Sequence, residues 1–238
     1  MATIRIQVDS WRFWAPESSD PTKWLQHWMA AGTRVQDANP DVAIIPPIQR
    51  RRASRLSRMV LSTALDVATD QKIDYSIFCS QHGELVRTRE ILKSISDGVE
   101  ISPAAFAQSV HNTGSGLYTI IAKSNAPSTS ITSGANTFAY AWVEAQAYLA
   151  NNPGHRVMLV DCDEVIPEEY QQFSEQVHCD HALAMILSVG DGSGIDMNRA
   201  PPGTENHLPQ GPQFLAWLLS DEAELSISAD NQAWRWQR

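Results

Sequence analysis

The sharpest chemical question in the sequence lies between Asn125 and Asn151, at Ser130-Ile131-Thr132-Ser133-Gly134-Ala135-Asn136-Thr137. Pro127 closes a turn, the alternating segment Ser128 to Thr132 favours β structure, and Ser133-Gly134 permits a sharp bend because glycine carries no Cβ. Helical periodicity then begins, with Phe138, Ala141, Trp142, Ala145 and Leu149 on one apolar stripe. A buried strand that turns through a tight elbow into a helix is where α/β enzymes place a nucleophile, because the helix start stabilises negative charge. The residue at this elbow is Ala135, and alanine has no nucleophile to offer. Ser133 is close by, but Ser-Gly-Ala-Asn lacks the Gly-x-Ser-x-Gly frame that exposes a hydrolase serine. Ser133 is expected to hydrogen-bond within the turn.

Other groups invite a catalytic or metal reading, and each has a plainer alternative. His178-Cys179-Asp180-His181 is short and rich in ligand types, yet it fits no closed structural zinc spacing. It also introduces a buried strand, where alternate side chains face opposite ways, so no metal is expected. His111 and Asn112 offer a base and an amide donor, but no Ser, Cys or Asp partner can be placed beside them, which favours a structural role. Asp161, Asp163, Glu164, Glu168 and Glu169 crowd a strand end and read as a solvated acidic loop. Arg50, Arg51, Arg52, Arg55 and Arg58 put five arginines into nine residues. They read either as a solvated helix face or as an anion-binding face for an acidic carrier protein or a partner subunit. No cofactor motif is present.

The elements that must position these residues alternate along the chain. Ile4 to Val8, Tyr75 to Cys79, the segment before the elbow, Arg156 to Asp161 and Ala182 to Ser188 read as strands. Asp20-Pro21 opens a helix carrying Trp24, Leu25 and Trp28. A helix from Arg51 to about Thr69 buries Leu56, Met59, Val60, Thr63 and Val67. Helices at Val86 to Ser96 and after Ser102-Pro103 follow, and Gly114 and Gly116 are expected to interrupt the apolar run before Leu117 to Ala122. Such alternation predicts an α/β fold with a mostly parallel five-stranded sheet covered by helices on both faces. Residues 190–211, rich in Gly and Pro, read as a flexible loop. Residues 212–238 then give a short helix at Phe214 to Leu219 and an edge extension at Leu225 to Ala229.

Composition narrows the function classes. A chain of 238 residues with 43% apolar and 19% charged residues suits one α/β domain spanning 1–238. A formal charge of −9 argues against nucleic acid, which needs a concentrated basic surface. No apolar run approaches the ~18 residues needed to span a bilayer, and no signal layout opens the chain, so a cytoplasmic location is expected. Cys79, Cys162 and Cys179 are odd in number and scattered, and read as small core residues rather than a disulfide frame.

The elbow and several segments together resemble β-ketoacyl synthases of the thiolase fold. Ala135 falls where that family has its acyl-accepting cysteine. Pro46-Pro47-Ile48-Gln49-Arg50-Arg51-Arg52, Ser80-Gln81-His82-Gly83-Glu84, Ile101 to Phe106 and Ser109-Val110-His111-Asn112 are similar to the short chain-length-factor-like ketosynthase homologues of aryl polyene clusters. The resemblance covers roughly residues 1–190. It implies a thiolase-like half-fold, since the family's second half, which supplies two catalytic histidines, has no counterpart in these residues. It implies a non-catalytic subunit that forms a heterodimer with an active β-ketoacyl-ACP synthase and caps its acyl tunnel, with acyl carrier protein as a further partner.

By this resemblance Ser128, Thr129, Ser130, Ile131, Thr132 and Ser133 belong to the partner interface. Leu85, Val86, Phe106, Val110, His111 and Asn112 are tunnel-side candidates, and Arg50, Arg51, Arg52, Arg55 and Arg58 are carrier-docking candidates. Two alternatives stand beside it: a stand-alone acyl-thioester hydrolase or decarboxylase, and a carrier-protein docking module.

Overall fold

A computed structural model of the chain describes residues 4–16, 18, 20–24, 26, 38–190, 192 and 194–238. Strand β1 (Ile6–Trp14) is followed by helices α1 (Pro47–Arg52) and α2 (Arg55–Val67), then by β2 (Tyr75–Cys79). Helices α3 (Leu85–Ser96), α4 (Pro103–Ala107) and α5 (Thr113–Ala122) lead to β3 (Ser128–Ile131) and α6 (Thr137–Asn151). Next come β4 (Val157–Asp163), α7 (Glu168–Gln171) and β5 (His181–Val189). Strand β6 (Asp196–Ala200), helix α8 (Gln210–Leu218) and strands β7 (Glu224–Ala229) and β8 (Gln232–Gln237) complete the series.

Strands that are apolar on both sides must be covered twice, and β4 and β5 show how. Val157 and Leu159 of β4 enter one core, while Met158, Val160 and Cys162 enter the other. β5 divides the same way, Leu183, Met185 and Leu187 against Ala182, Ala184 and Ile186. The predicted stripe of α6 closes the first core, with Phe138, Ala141, Trp142, Ala145 and Leu149 all buried. Leu56, Met59, Val60 and Val67 of α2, with Tyr118 of α5, close the second. Helix α5 runs straight through Gly114 and Gly116, so the expected interruption there is absent. Gly114 is small because α2 passes close by: a Cβ at this position would lie 3.0 Å from Val60 Cγ1.

The main sheet has the order β1-β5-β4-β2-β3. Its fold class is the predicted one, a five-stranded α/β sheet with helices on both faces, but its strand directions are mixed. β2 runs parallel to β3 and β4, whereas β4–β5 and β1–β5 are antiparallel. The reason lies in the connection from β4 to β5. It holds only the four-residue α7, and antiparallel neighbours need no crossover helix. β3 is an edge, paired on one side only among the described residues.

Residues 190–211 are not wholly a loop. Asp196–Ala200 is a strand, and α8 starts at Gln210. β6 pairs with β8, and β8 with β7, in a separate antiparallel sheet, so the expected edge extension of the main sheet is a sheet of its own. Only Met197 of β6 is buried, which explains why the sequence pattern gave no strand signal. The β7–β8 hairpin turns at Asp230-Asn231, both with positive φ (49° and 59°), as a two-residue turn of this hand requires. Trp234 and Trp236 of β8 pack into the same core as α6.

Among the described residues, no helix is long and apolar enough to cross a membrane. Asp20 caps a short helical stretch at residues 21–24 as expected, accepting from Thr22 N at 3.0 Å and Lys23 N at 3.2 Å. Trp24 packs edge-on against Phe13, while Leu25 and Trp28 lie outside the described residues. Cys79, Cys162 and Cys179 are buried and free.

The expected helix from Arg51 to Thr69 is two helices, broken at Ala53-Ser54 because Ser54 caps the second. Its hydroxyl accepts from Ser57 N at 2.9 Å. The break scatters the arginines. Arg51 and Arg52 are exposed in α1, while Arg58 is half-buried and donates to Arg50 O at 3.1 Å. Arg55 points inward, 2.9 Å from Asp180 Oδ1 and 3.6 Å from Glu164 Oε1. Burial pushes the Glu164 carboxyl up to about 7 even against the pull of Arg55. Removing Arg55 strands two nearly buried acids. Arg55→Ala is therefore expected to cost about 3 kcal/mol in urea unfolding and Arg51→Ala less than 0.5, on the order of an exposed charge. Equal costs would refute the inward role of Arg55.

Candidate functional site

The elbow forms as the sequence suggests. β3 ends at Ile131, Gly134 takes φ +56°, and α6 begins at Thr137. Asn136 N donates to Ser133 O at 3.1 Å and Thr137 N to Gly134 O at 3.2 Å. The Thr137 hydroxyl accepts from Ser133 N at 2.8 Å and donates to Gly134 O at 2.7 Å. Ser133 thus serves the turn through its backbone. Ala135 stands at the bend, half-buried, with its side chain beside a small pocket.

Most of the polar partners of this elbow come from the C-terminal quarter of the chain. Ala135 N donates to Asp230 Oδ2 at 3.1 Å. Asn136 is 1% exposed, and its amide donates to Ala229 O at 3.0 Å. Its oxygen accepts from Trp234 Nε1 at 2.9 Å and Gln210 Nε2 at 3.3 Å. Gln210 also accepts from Ala139 N at 3.1 Å, which satisfies a free amide of the first helical turn. Sequence reading missed Gln210, Asp230 and Trp234 as elbow residues. The Asp-Asn pair between two alternating segments was the available signal for the hairpin, but nothing local shows where the hairpin docks.

The pocket beneath Ala135 has about 30 Å³, roughly one water, and is lined among others by Gln81, Asp161, Asp163, His178 and His181. Asp161 and Asp163 sit at the end of β4, and the expected solvated acidic loop is corrected there. Asp161 is buried, Asp163 half-buried, and only Glu168 and Glu169 face water. Asp161 accepts from Cys79 Sγ at 3.3 Å and from His181 Nε2 at 3.2 Å. Asp163 Oδ1 clamps the loop after β2, accepting from Ser80 Oγ at 2.7 Å, Gln81 N at 3.0 Å and His82 N at 3.2 Å.

His181 faces acceptors on both sides, Asp161 Oδ2 and, at 3.1 Å, Cys179 O. Both ring nitrogens must therefore donate, which makes the ring an imidazolium. Burial opposes that charge, but the bonds to Asp161 and Cys179 outweigh it and hold His181 well above its usual value. One ligand atom each of Asp161, Asp163 and His181 lies within 4.8 Å of the others, a spacing that suits a divalent ion. The imidazolium already supplies the positive charge that two carboxylates there require.

The His178–His181 segment does not converge on one point. His178 turns toward the His82 ring, centroids 4.8 Å apart, and bonds Ser174 Oγ at 2.7 Å. Burial, with His82 beside it, pushes His178 down to about 4. Asp180 instead faces Arg55 and Val165 N. His111 Nε2 bonds Ser80 O at 2.8 Å, and its ring lies where a Cβ at Gly83 (φ +55°) would fall, 2.8 Å away. Leu85 and Val86 are half-buried at the start of α3, whereas Phe106, Val110 and Asn112 are exposed. Leu92, Ile95 and Val99 are also exposed on and just after α3.

A family model described as the beta-ketoacyl synthase N-terminal domain matches residues 23–237. No curated protein matches. Among solved structures, a chain of the ketosynthase (ApeO) in complex with its chain length factor (ApeC) from Xenorhabdus doucetiae is similar at 28% identity and a TM-score of 0.85. That match covers 99% of this chain and 100% of the other. The ishigamide ketosynthase/chain length factor shares the fold at 11% identity and TM-score 0.58, over 82% of this chain and 67% of that one. So does AntDE:AntF, a type II PKS acyl-carrier protein in complex with its ketosynthase bound to the hexaketide. Identity there is 14% and the TM-score 0.61, over 84% and 70% of the two chains.

The His181–Asp161 pair has a pH signature. A raised histidine stabilises the fold fully below its unfolded value, about 6.5, and this stabilisation is lost as pH rises through the folded value. The urea midpoint of the native chain is expected to fall from pH 6.5 to 9, and His181→Gln to fall less over that window. Parallel curves would refute a buried imidazolium.

Proposed function

The chain belongs to the beta-ketoacyl synthase N-terminal domain family, and from that premise we propose that it is a chain-length-factor subunit with no condensing activity of its own, paired with an active ketosynthase. Ala135 carries this reading. The strand, bend and helix of a nucleophile elbow are all kept, and the residue at the bend has no reactive side chain. A chain of nearly equal length within a ketosynthase–chain length factor complex, similar over its whole extent, supports it.

Two surfaces suit such pairing. The outer edge of β3 (Ser128–Ile131), with Thr132 and Ser133 just beyond it, is a strand edge of the kind that pairs with another chain. Near α3 and α4, Phe106 and Val110 are 63% and 47% exposed, large apolar side chains that an interface would cover. With Leu85, Val86, His111 and Asn112 they are the residues we assign to the partner's acyl tunnel. Bulk at a tunnel floor limits how many carbons fit, so this subunit would set the length of a polyketide-type, aryl polyene chain in the cytoplasm.

An acyl carrier protein is the second partner. Arg51 and Arg52, exposed on α1, are the basic groups that favour it. Arg55 is occupied internally and drops out of that surface. A stand-alone acyl-thioester enzyme is the competing reading, and an elbow without a nucleophile argues against it.

Co-expression with a ketosynthase of this type tests the proposal. The two chains are expected to co-purify in equal amounts, and Phe106→Ala to lengthen the product relative to the native pair. A chain that neither co-purifies nor alters the product would overturn it.

A further inference from the structure

The amide at the elbow is already taken. Ala135 N–H donates to Asp230 Oδ2, and a Cβ on Gly134 would lie 3.0 Å from that same oxygen. Asp230 is itself exposed, and the turn that carries it is fixed on both sides. It occupies the first corner of the β7–β8 turn, and Asn231 N donates to Glu205 Oε1 at 3.1 Å. On its other side, Ala229 O accepts from Asn136, and Trp234 of the same hairpin bonds Asn136 again.

A backbone N–H at the start of a 15-residue helix is where a carbonyl oxygen gaining negative charge would be stabilised. A carboxylate on that N–H uses the donor and repels a second anion. We propose that Asp230 is an autoinhibitory occupant of the elbow: its carboxylate closes the anion position beside residue 135 and silences the elbow independently of the missing nucleophile. The elbow would then be closed twice, once by Ala135 and once by the hairpin. This inference rests on the elbow geometry and not on the tunnel-capping role, so either can fail alone.

The consequence concerns any thiol placed at the bend. A helix start lowers a thiol's pKa and makes it reactive. Asp230 opposes this, because a negative charge roughly 5 Å away costs about one pKa unit at a half-exposed site. The test is alkylation of Ala135→Cys by iodoacetamide at pH 7.5, followed by intact mass. The thiolate sulfur displaces iodide, and its proton has already gone to solvent. The native cysteines are all buried, so the unmodified chain gives the background.

Asp230→Asn in the Ala135→Cys background keeps an acceptor for the amide and removes the charge. It is expected to raise the rate at pH 7.5 about fivefold and to move the pH–rate midpoint down by about one unit. Asp230→Gly, which suits the positive φ of the turn, is expected to do the same and guards against a misfolded Asn variant. Rates within twofold of the single Ala135→Cys variant for both double variants, with an unmoved pH–rate midpoint, would overturn the inference.

Discussion

The structure depends on how a sharp strand-to-helix turn finds partners for its polar groups. Asn136 is buried at that turn, and its amide is paired only because three separate pieces of the C-terminal quarter reach it: α8 through Gln210, β7 through Ala229 and β8 through Trp234. A buried polar group left unpaired costs about 1–3 kcal/mol, and three such groups meet here. The second sheet and α8 therefore do more than add apolar cover to α6. They complete the hydrogen bonding of the elbow, and Phe138, Phe214 and Trp236 pack beside it in one aromatic cluster. Elbow and C-terminal quarter form one unit.

The same self-sufficiency governs the charges. At the carboxyl end of β4, where sites gather in open α/β sheets, this chain collects two aspartates and several histidines. Most are engaged by their own neighbours, although the buried His82 Nε2 has no hydrogen-bond partner. His181 neutralises Asp161, Asp163 holds three donors of the loop after β2, and Arg55 answers Asp180 and Glu164. A site built for turnover keeps groups free to exchange protons or bind a reacting atom. Here Asp161, Asp163, His181 and Arg55 are spent on holding strand ends together. The groups left open are on the outside: the β3 edge, the apolar residues of α3 and α4, and the arginines of α1. That division suits a subunit that acts through its surfaces.

Much of the first half of this picture was legible in the sequence. The stripes of α2 and α6 were read residue by residue, because helices packed on a sheet must repeat apolar residues near every 3.6 positions. The continuous apolar runs of β4 and β5 marked central strands. Periodicity failed where burial is sparse or partners are distant. β6 buries one residue and carries no strand pattern. Gly114 has the local signature of a breaker, although its role is to let Val60 close in from α2. Arg55 reads as part of a basic face with its sequence neighbours, because nothing local says that Asp180, more than a hundred positions on, lies beside it. Asp161 and Asp163 read as solvated for the same reason. The position of Ala135 was evident at once, but its contact with Asp230 spans 95 positions and has no local trace.

On the proposed function, the acyl chain is never carried by this subunit. The direct measurement is intact-protein mass spectrometry of the co-purified complex after incubation with an acyl thioester donor. The partner ketosynthase should gain one acyl mass, and this chain should keep its unmodified mass through the full time course. A stoichiometric acyl adduct on this chain, mapped to Ser133 or to any other residue, would contradict the account.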